Sequence, residues 1–185
     1  MGSVGAIEVR PTLELRSNQH GLLVGYAATF NASSRDLGGF TESIRPGAFK
    51  RSLAEADHIL ALYDHDHRSI LGRCGAGTLN LKEDEKGLYF EIDTPPTSVG
   101  QDLTVLVRRG DIAGASFGFQ VPKGGDVWSE RDGYPHRELI DVDLHEITIT
   151  ANPAYLDTSV AKRHLAHSPA RWRLNNARNY LDTVR

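Results

Sequence analysis

The stretch 113–119, Ala-Gly-Ala-Ser-Phe-Gly-Phe, alternates bulky and tiny side chains around a central hydroxyl. In an extended strand successive side chains leave on opposite faces. Ala113, Ala115, Phe117, Phe119 and Val121 therefore fall together, while Gly114, Ser116 and Gly118 share the other face. One face packs and the other is nearly bare. Glycine weakens a strand interior and marks places where another backbone or a ligand comes close. Two readings satisfy this pattern. Either the strand is small because a helix packs tightly on it, or a substrate strand lies directly over Ser116.

The neighbouring segments favour a site. Residues 59–63 form an apolar run that ends in Asp64, His65, Asp66 and His67, which suits a buried strand whose end opens at reactive groups. Residues 140–150 alternate by twos and place Glu146 on the face of Ile140, Val142 and Leu144. A carboxylate on that face needs a partner.

Further motifs follow one another in a fixed order. They are Gly25-Tyr26-Ala27, then Glu42-Ser43-Ile44-Arg45-Pro46-Gly47-Ala48-Phe49, His65-Asp66, Leu71-Gly72-Arg73 and Gly87-Leu88-Tyr89-Phe90. Arg109-Gly110-Asp111, Ser116-Phe117-Gly118-Phe119, Glu146-Ile147-Thr148 and Pro153-Ala154 complete the series. Each is weak alone. As an ordered set over residues 25–163 they resemble the tailed-bacteriophage prohead proteases, serine peptidases of capsid maturation related in fold to the herpesvirus assembly proteases. The resemblance implies Ser116 as nucleophile, His65 as general base and Glu146 as third member. It also implies an endopeptidase acting inside an assembling procapsid, in the host bacterial cytoplasm. Its substrates would be the scaffold protein or the N-terminal scaffold-like segment of the major capsid protein, and the protease itself. No cofactor is implied. Herpesvirus relatives dimerise, so self-association is an expectation too, although no motif fixes an interface.

The chemistry asks for such a set independently. A serine hydroxyl is a poor nucleophile until a base removes its proton, and an imidazole titrating near neutrality suits that task. A third group must orient the ring and stabilise its charged form. Asp64 and Asp66 compete with Glu146 for this place. Both point away from His65 if the strand stays extended, and a bulge or turn there would restore them. Arg137 is a candidate cation for the oxyanion, against the plainer reading of a surface arginine at a strand start.

Three rival chemistries also deserve a test. His65 and His67 on one strand face could begin a zinc site, but a third ligand at convincing spacing is missing. Cys74 could be a nucleophile, but it lacks a local signature and reads as an idle, partly buried thiol. A noncatalytic assembly module would keep the fold and bind capsid subunits.

The 185 residues suffice for one good core, and a single cysteine rules out an internal disulfide. A net charge of −3 leaves no general nucleic-acid footprint. No apolar run approaches membrane-spanning length, and the N-terminus lacks a secretory signal, so neither nucleic acid nor membrane is an expected partner. The chain reads as mainly β (α+β), an antiparallel closed β-barrel flanked by a few α-helices. Strands are expected near 7–15, 22–30, 75–82 and 88–93. Short helices are expected over 47–56 and from Thr97 or Ser98 to Gly110. Residues 31–42 read as a loop, either a flap or ordinary surface. A hairpin region surrounds Val127 and Trp128, the latter packing or touching substrate. The catalytic domain is expected over 1–163. Residues 161–185 hold six Lys or Arg against one Asp, and 164–185 read as a basic amphipathic helix or tail.

Overall fold

The computed structural model describes residues 8–12, 14–17 and 21–151. In chain order the elements are β1 (Glu8–Thr12), β2 (Glu14–Ser17), β3 (Leu22–Thr29), β4 (Thr41–Ile44), helix α1 (Lys50–Ala54), β5 (Leu60–Tyr63) and β6 (Asp66–Arg73). There follow β7 (Leu79–Glu83), β8 (Gly87–Asp93), helix α2 (Ser98–Arg109), β9 (Gly114–Gln120), β10 (Asp126–Arg131), β11 (Tyr134–Leu139) and β12 (Asp143–Thr150). The protein is thus mainly β with few helices. The basic C-terminal segment and the expected boundary at 163 lie outside the described residues.

Hydrogen-bonded ladders join the strands into three sheets, ordered β1-β9-β12-β5-β6, β2-β3-β8-β7 and β10-β11-β4. Among the described residues no sheet closes on itself, so the expected closed barrel does not emerge from the ladders. Nor is the pairing wholly antiparallel: β12 runs parallel to β5, and β11 parallel to β4. Both parallel pairs join strands far apart in sequence, which local periodicity does not encode. The first two sheets face each other, with β3 against β9 and β6 against β8.

The core lies between them. Phe117 and Phe119 of β9 stack with centroids 4.9 Å apart, and Phe49 meets Phe117 edge-on at 5.4 Å. All three rings are fully buried, each contributing about 1.5–3 kcal/mol. The bulky face of the 113–119 pattern therefore packs as its alternation dictates. Helix α2 begins where expected, with Thr97 Oγ1 accepting from the Gly100 amide at 3.3 Å, and it buries Leu103 and Val107. Helix α1 is shorter than its apolar spacing suggests, because Glu55 leaves the helical region and a 3-10 turn, Ala56–His58, follows. Ser52 in α1 holds β12: its hydroxyl donates to the Val142 carbonyl at 2.6 Å and accepts from the Leu144 amide at 2.9 Å.

The hairpin β10–β11 turns at Asp132 and Gly133, both at positive φ (52° and 75°), as a two-residue hairpin turn requires. Trp128 is 54% exposed and packs at the surface against Phe40 of the loop before β4, with centroids 5.1 Å apart. On the neighbouring strand His136 is completely buried. Its Nδ1 lies 2.8 Å from Thr41 Oγ1 and its Nε2 2.8 Å from Ser43 Oγ.

A neutral imidazole satisfies that pair, donating on one side and accepting on the other. Burial, and then the nearby Arg131, holds the His136 pKa below its ordinary 6.5, with Glu138 opposing. In this window the unfolded chain binds the proton more readily than the folded one. The contribution of His136 is complete above about pH 6.5 and is lost as pH falls towards the folded value. The urea midpoint is expected to drop between about pH 7 and pH 5. His136→Gln should lower the midpoint throughout but flatten that slope; an unchanged slope would disprove the assignment.

Candidate active site

β5 and β6 are joined by a two-residue turn, with Tyr63 paired to Asp66. Its central residues, Asp64 and His65, have φ of 52° and 59°. Positive φ at both positions marks a type I′ turn, normally built from Asn and Gly. Asp and His are among the side chains that tolerate the left-handed region best. The expected extended strand through His65 and His67 is therefore replaced by a turn. His65 stands at its tip, while His67 has passed onto β6, so the two histidines do not share one strand face.

β12 holds this turn from the neighbouring strand position. The Asp64 amide donates to the Ile149 carbonyl at 3.0 Å, the His65 amide to Thr148 Oγ1 at 2.9 Å, and Thr150 Oγ1 to Asp64 Oδ1 at 2.8 Å. The imidazole is thereby directed between two partners. Nδ1 lies 2.5 Å from Glu146 Oε1, and Nε2 lies 3.2 Å from Ser116 Oγ. The three residues singled out from sequence come together in one hydrogen-bonded chain. The turn does not hand the third place to an aspartate: Asp64 is taken by Thr150, and Asp66 accepts from the Arg68 amide and the Ser69 hydroxyl.

Glu146 reaches His65 by a departure from simple alternation. β12 pairs with β9 as Leu144↔Phe119 and then Glu146↔Gly118, leaving His145 in a bulge. Beyond it, Ile147 and Ile149 lie opposite Phe117 and Ala115, while Glu146, Thr148 and Thr150 lie opposite Gly118, Ser116 and Gly114. Glu146 thus does not share the face of Leu144, as unbroken alternation expects. The extra residue re-aims it to the serine face. The bare face of β9 is then filled by Glu146 itself, not by a packed helix. A Cβ at Gly118 would meet Glu146 Cγ at 2.8 Å and Oε1 at 3.0 Å. Glu146 Oε2 is buried without a hydrogen-bond partner among the described residues. Ser116 has no exposed surface, whereas the His65 side chain is 35% exposed.

A sequence model described as Caudovirus prohead serine protease matches residues 7–171. The chain belongs to that family. The protein is accordingly a serine peptidase of phage capsid maturation. No curated protein and no solved structure matches it. No helix among the described residues of this prohead protease is long and apolar enough to cross a membrane.

The other candidates separate from the site. Arg137 donates to Asp126 at 2.8 Å, to both oxygens of Glu8 at 2.8 and 3.1 Å, and to Glu42 at 3.3 Å. Burial opposes its charge, but Glu8, Asp126 and Glu42 outweigh that and keep it firmly protonated. It is a structural cation, neither a surface arginine nor free for an oxyanion. Burial, and then Asp57, pushes the Cys74 thiol up to about 11, so little thiolate exists near neutrality. Among the described residues no three His, Cys, Asp or Glu side chains gather as a metal-ligand set.

Thr148 and Thr150 are the residues of this protease's site that sequence reasoning passed over. Their signal was parity: apolar positions change from Val142 and Leu144 to Ile147 and Ile149, which places the two threonines with Glu146. Gly118→Ala tests the geometry. The added methyl is expected to displace the Glu146 carboxylate from His65 and to cost about 1–3 kcal/mol of stability. Urea unfolding with side-chain NMR of His65 reads both; an unmoved His65 spectrum would refute the steric account.

Proposed function

We propose that Ser116, His65 and Glu146 are the catalytic residues with which this protease cuts proteins of the assembling procapsid. The observation that carries the reading is the continuous chain from Ser116 Oγ through both nitrogens of His65 to Glu146 Oε1, at 3.2 and 2.5 Å. Ser116 Oγ–H donates to Nε2, and Nδ1–H donates to Glu146. As Oγ attacks the scissile carbonyl its proton passes to Nε2, and the resulting imidazolium faces a carboxylate whose only side-chain hydrogen bond among the described residues is to that ring. The imidazolium then gives its proton to the leaving amine, and water repeats the sequence to release the acyl group. No cofactor takes part. Because Ser116 has no exposed surface, the cycle includes a step that uncovers Oγ. Such a step suits an enzyme held silent until assembly.

The substrates in this reading are the scaffold protein or the scaffold-like N-terminal segment of the major capsid protein, and the protease itself. A fold kinship with the herpesvirus assembly proteases belongs to the same proposal, supported by the mainly β architecture and the Ser–His pairing. A fluorophosphonate probe is expected to label Ser116, with labelling abolished by Ser116→Ala and His65→Ala. Glu146→Gln should slow it by about 100- to 10,000-fold. Coexpression with the cognate capsid precursor checks the activity itself: cleavage that persists undiminished in Ser116→Ala would overturn the assignment.

A further inference from the structure

We propose that Thr148 is a positioning residue for His65, acting on the backbone of the turn that carries the imidazole; the inference rests on His65 being the general base. The turn is an unusual place for a reactive ring. Two consecutive residues with side chains adopt positive φ there, a conformation that persists only where the surroundings over-determine it.

Three hydrogen bonds from β12 supply that determination. One uses the Ile149 carbonyl, and another joins Thr150 to the Asp64 carboxylate. The third falls on His65 itself, whose amide donates to Thr148 Oγ1 at 2.9 Å, while the same hydroxyl donates to the Leu62 carbonyl at 3.2 Å. Thr148 therefore bridges the end of β5 and the residue that bears the ring. It is fully buried, so water does not replace either bond.

Its place in the sheet gives the bridge a purpose. Thr148 lies opposite Ser116 in the β9–β12 ladder and beside Leu62 in the β5–β12 ladder. One residue thus fixes the base-bearing turn relative to the nucleophile-bearing strand. Glu146, two residues before it on the same face, takes Nδ1. The strand that orients the ring from one side also sets the height at which the ring is presented. Loss of the hydroxyl leaves the His65 amide and the Leu62 carbonyl each short of a partner, and relaxation of the turn swings the ring away from Nε2–Oγ alignment.

The test compares Thr148→Val, which keeps the shape and removes the hydroxyl, with Thr148→Ser, which restores it. Fluorophosphonate labelling of Ser116 should fall by about 10- to 100-fold in the valine variant, as misplacement of a reacting group produces. The serine variant should recover most of the rate. Imidazole ¹⁵N NMR supplies a readout independent of activity. The wild-type protein and Thr148→Ser should show His65 in one tautomer with Nδ1 protonated, and Thr148→Val should show a mixture, with thermal melting confirming that it is folded. Unchanged His65 signals in Thr148→Val would overturn the proposal. So would a serine variant as impaired as the valine one, since packing of the methyl would then be responsible. Cleavage of the coexpressed capsid precursor that persisted in Ser116→Ala would sink the catalytic reading, while the NMR comparison would still decide the role of Thr148.

Discussion

The register of β12 against β9, with its one extra residue at His145, is the constraint on which the site depends. A one-residue change in pairing moves every side chain of a strand to the opposite face. Without the bulge, the ladder that sets Leu144 against Phe119 would carry Glu146 and Thr148 into the apolar layer and turn Ile147 and Ile149 outwards. A carboxylate buried there without a partner would cost several kcal/mol. The bulge lets the first part of β12 pack Val142 and Leu144 and the second part pack Ile147 and Ile149. It turns Glu146, Thr148 and Thr150 together towards β9's glycines and serine. Ser52 clamps Val142 and Leu144 just before the irregularity, so the shift has a fixed starting point.

Much of this was legible in the sequence, and what was not has identifiable causes. The two faces of β9 follow from strict alternation, and α2 follows from a capping threonine and a helical apolar stripe. Ser116, His65 and Glu146 were singled out through their residue chemistry and the order of the surrounding motifs, and the fold brings the three into one hydrogen-bonded chain. The turn at Asp64 and His65 was hidden because neither residue is glycine or asparagine, and the apolar run before them reads as a strand continuing through. The bulge left a trace as the parity switch between Leu144 and Ile147. Alternation counted from Ile140 alone passed over it. The parallel pairings, and Glu8 and Glu42 beside Arg137, come from strands distant in sequence, and no local pattern announces them.

The buried polar groups fall into two kinds. Among those away from the site, Arg137 and His136 are each held from more than one side. Arg137 is engaged by Glu8, Glu42 and Asp126, and His136 has a hydroxyl at each ring nitrogen. Such groups specify how strands meet and lose stability when altered. At the site the filling is incomplete: Glu146 Oε2 has no partner among the described residues. A single-point contact between Glu146 and His65 leaves the carboxylate directed at the ring, where positive charge would develop in the proposed proton transfer. Incomplete satisfaction costs stability in the resting fold and is retained where electrostatic demand changes during a reaction.

The three members of the site differ in how firmly they are held. Ser116 and Glu146 sit inside a sheet, each bracketed by paired strands on both sides. His65 sits on a turn, in a conformation that depends on hydrogen bonds from one neighbouring strand. His65 is therefore the member whose position can change without dismantling the core. Ser116 is buried while part of the His65 side chain reaches solvent, so the turn is the solvent-facing side of the Ser116–His65 contact. In the proposed reading, control by assembly would act there. A partner that pressed on the β5–β6 turn would alter the Ser–His contact directly, whereas one that bound the far sheet would have to transmit its effect through a close-packed core.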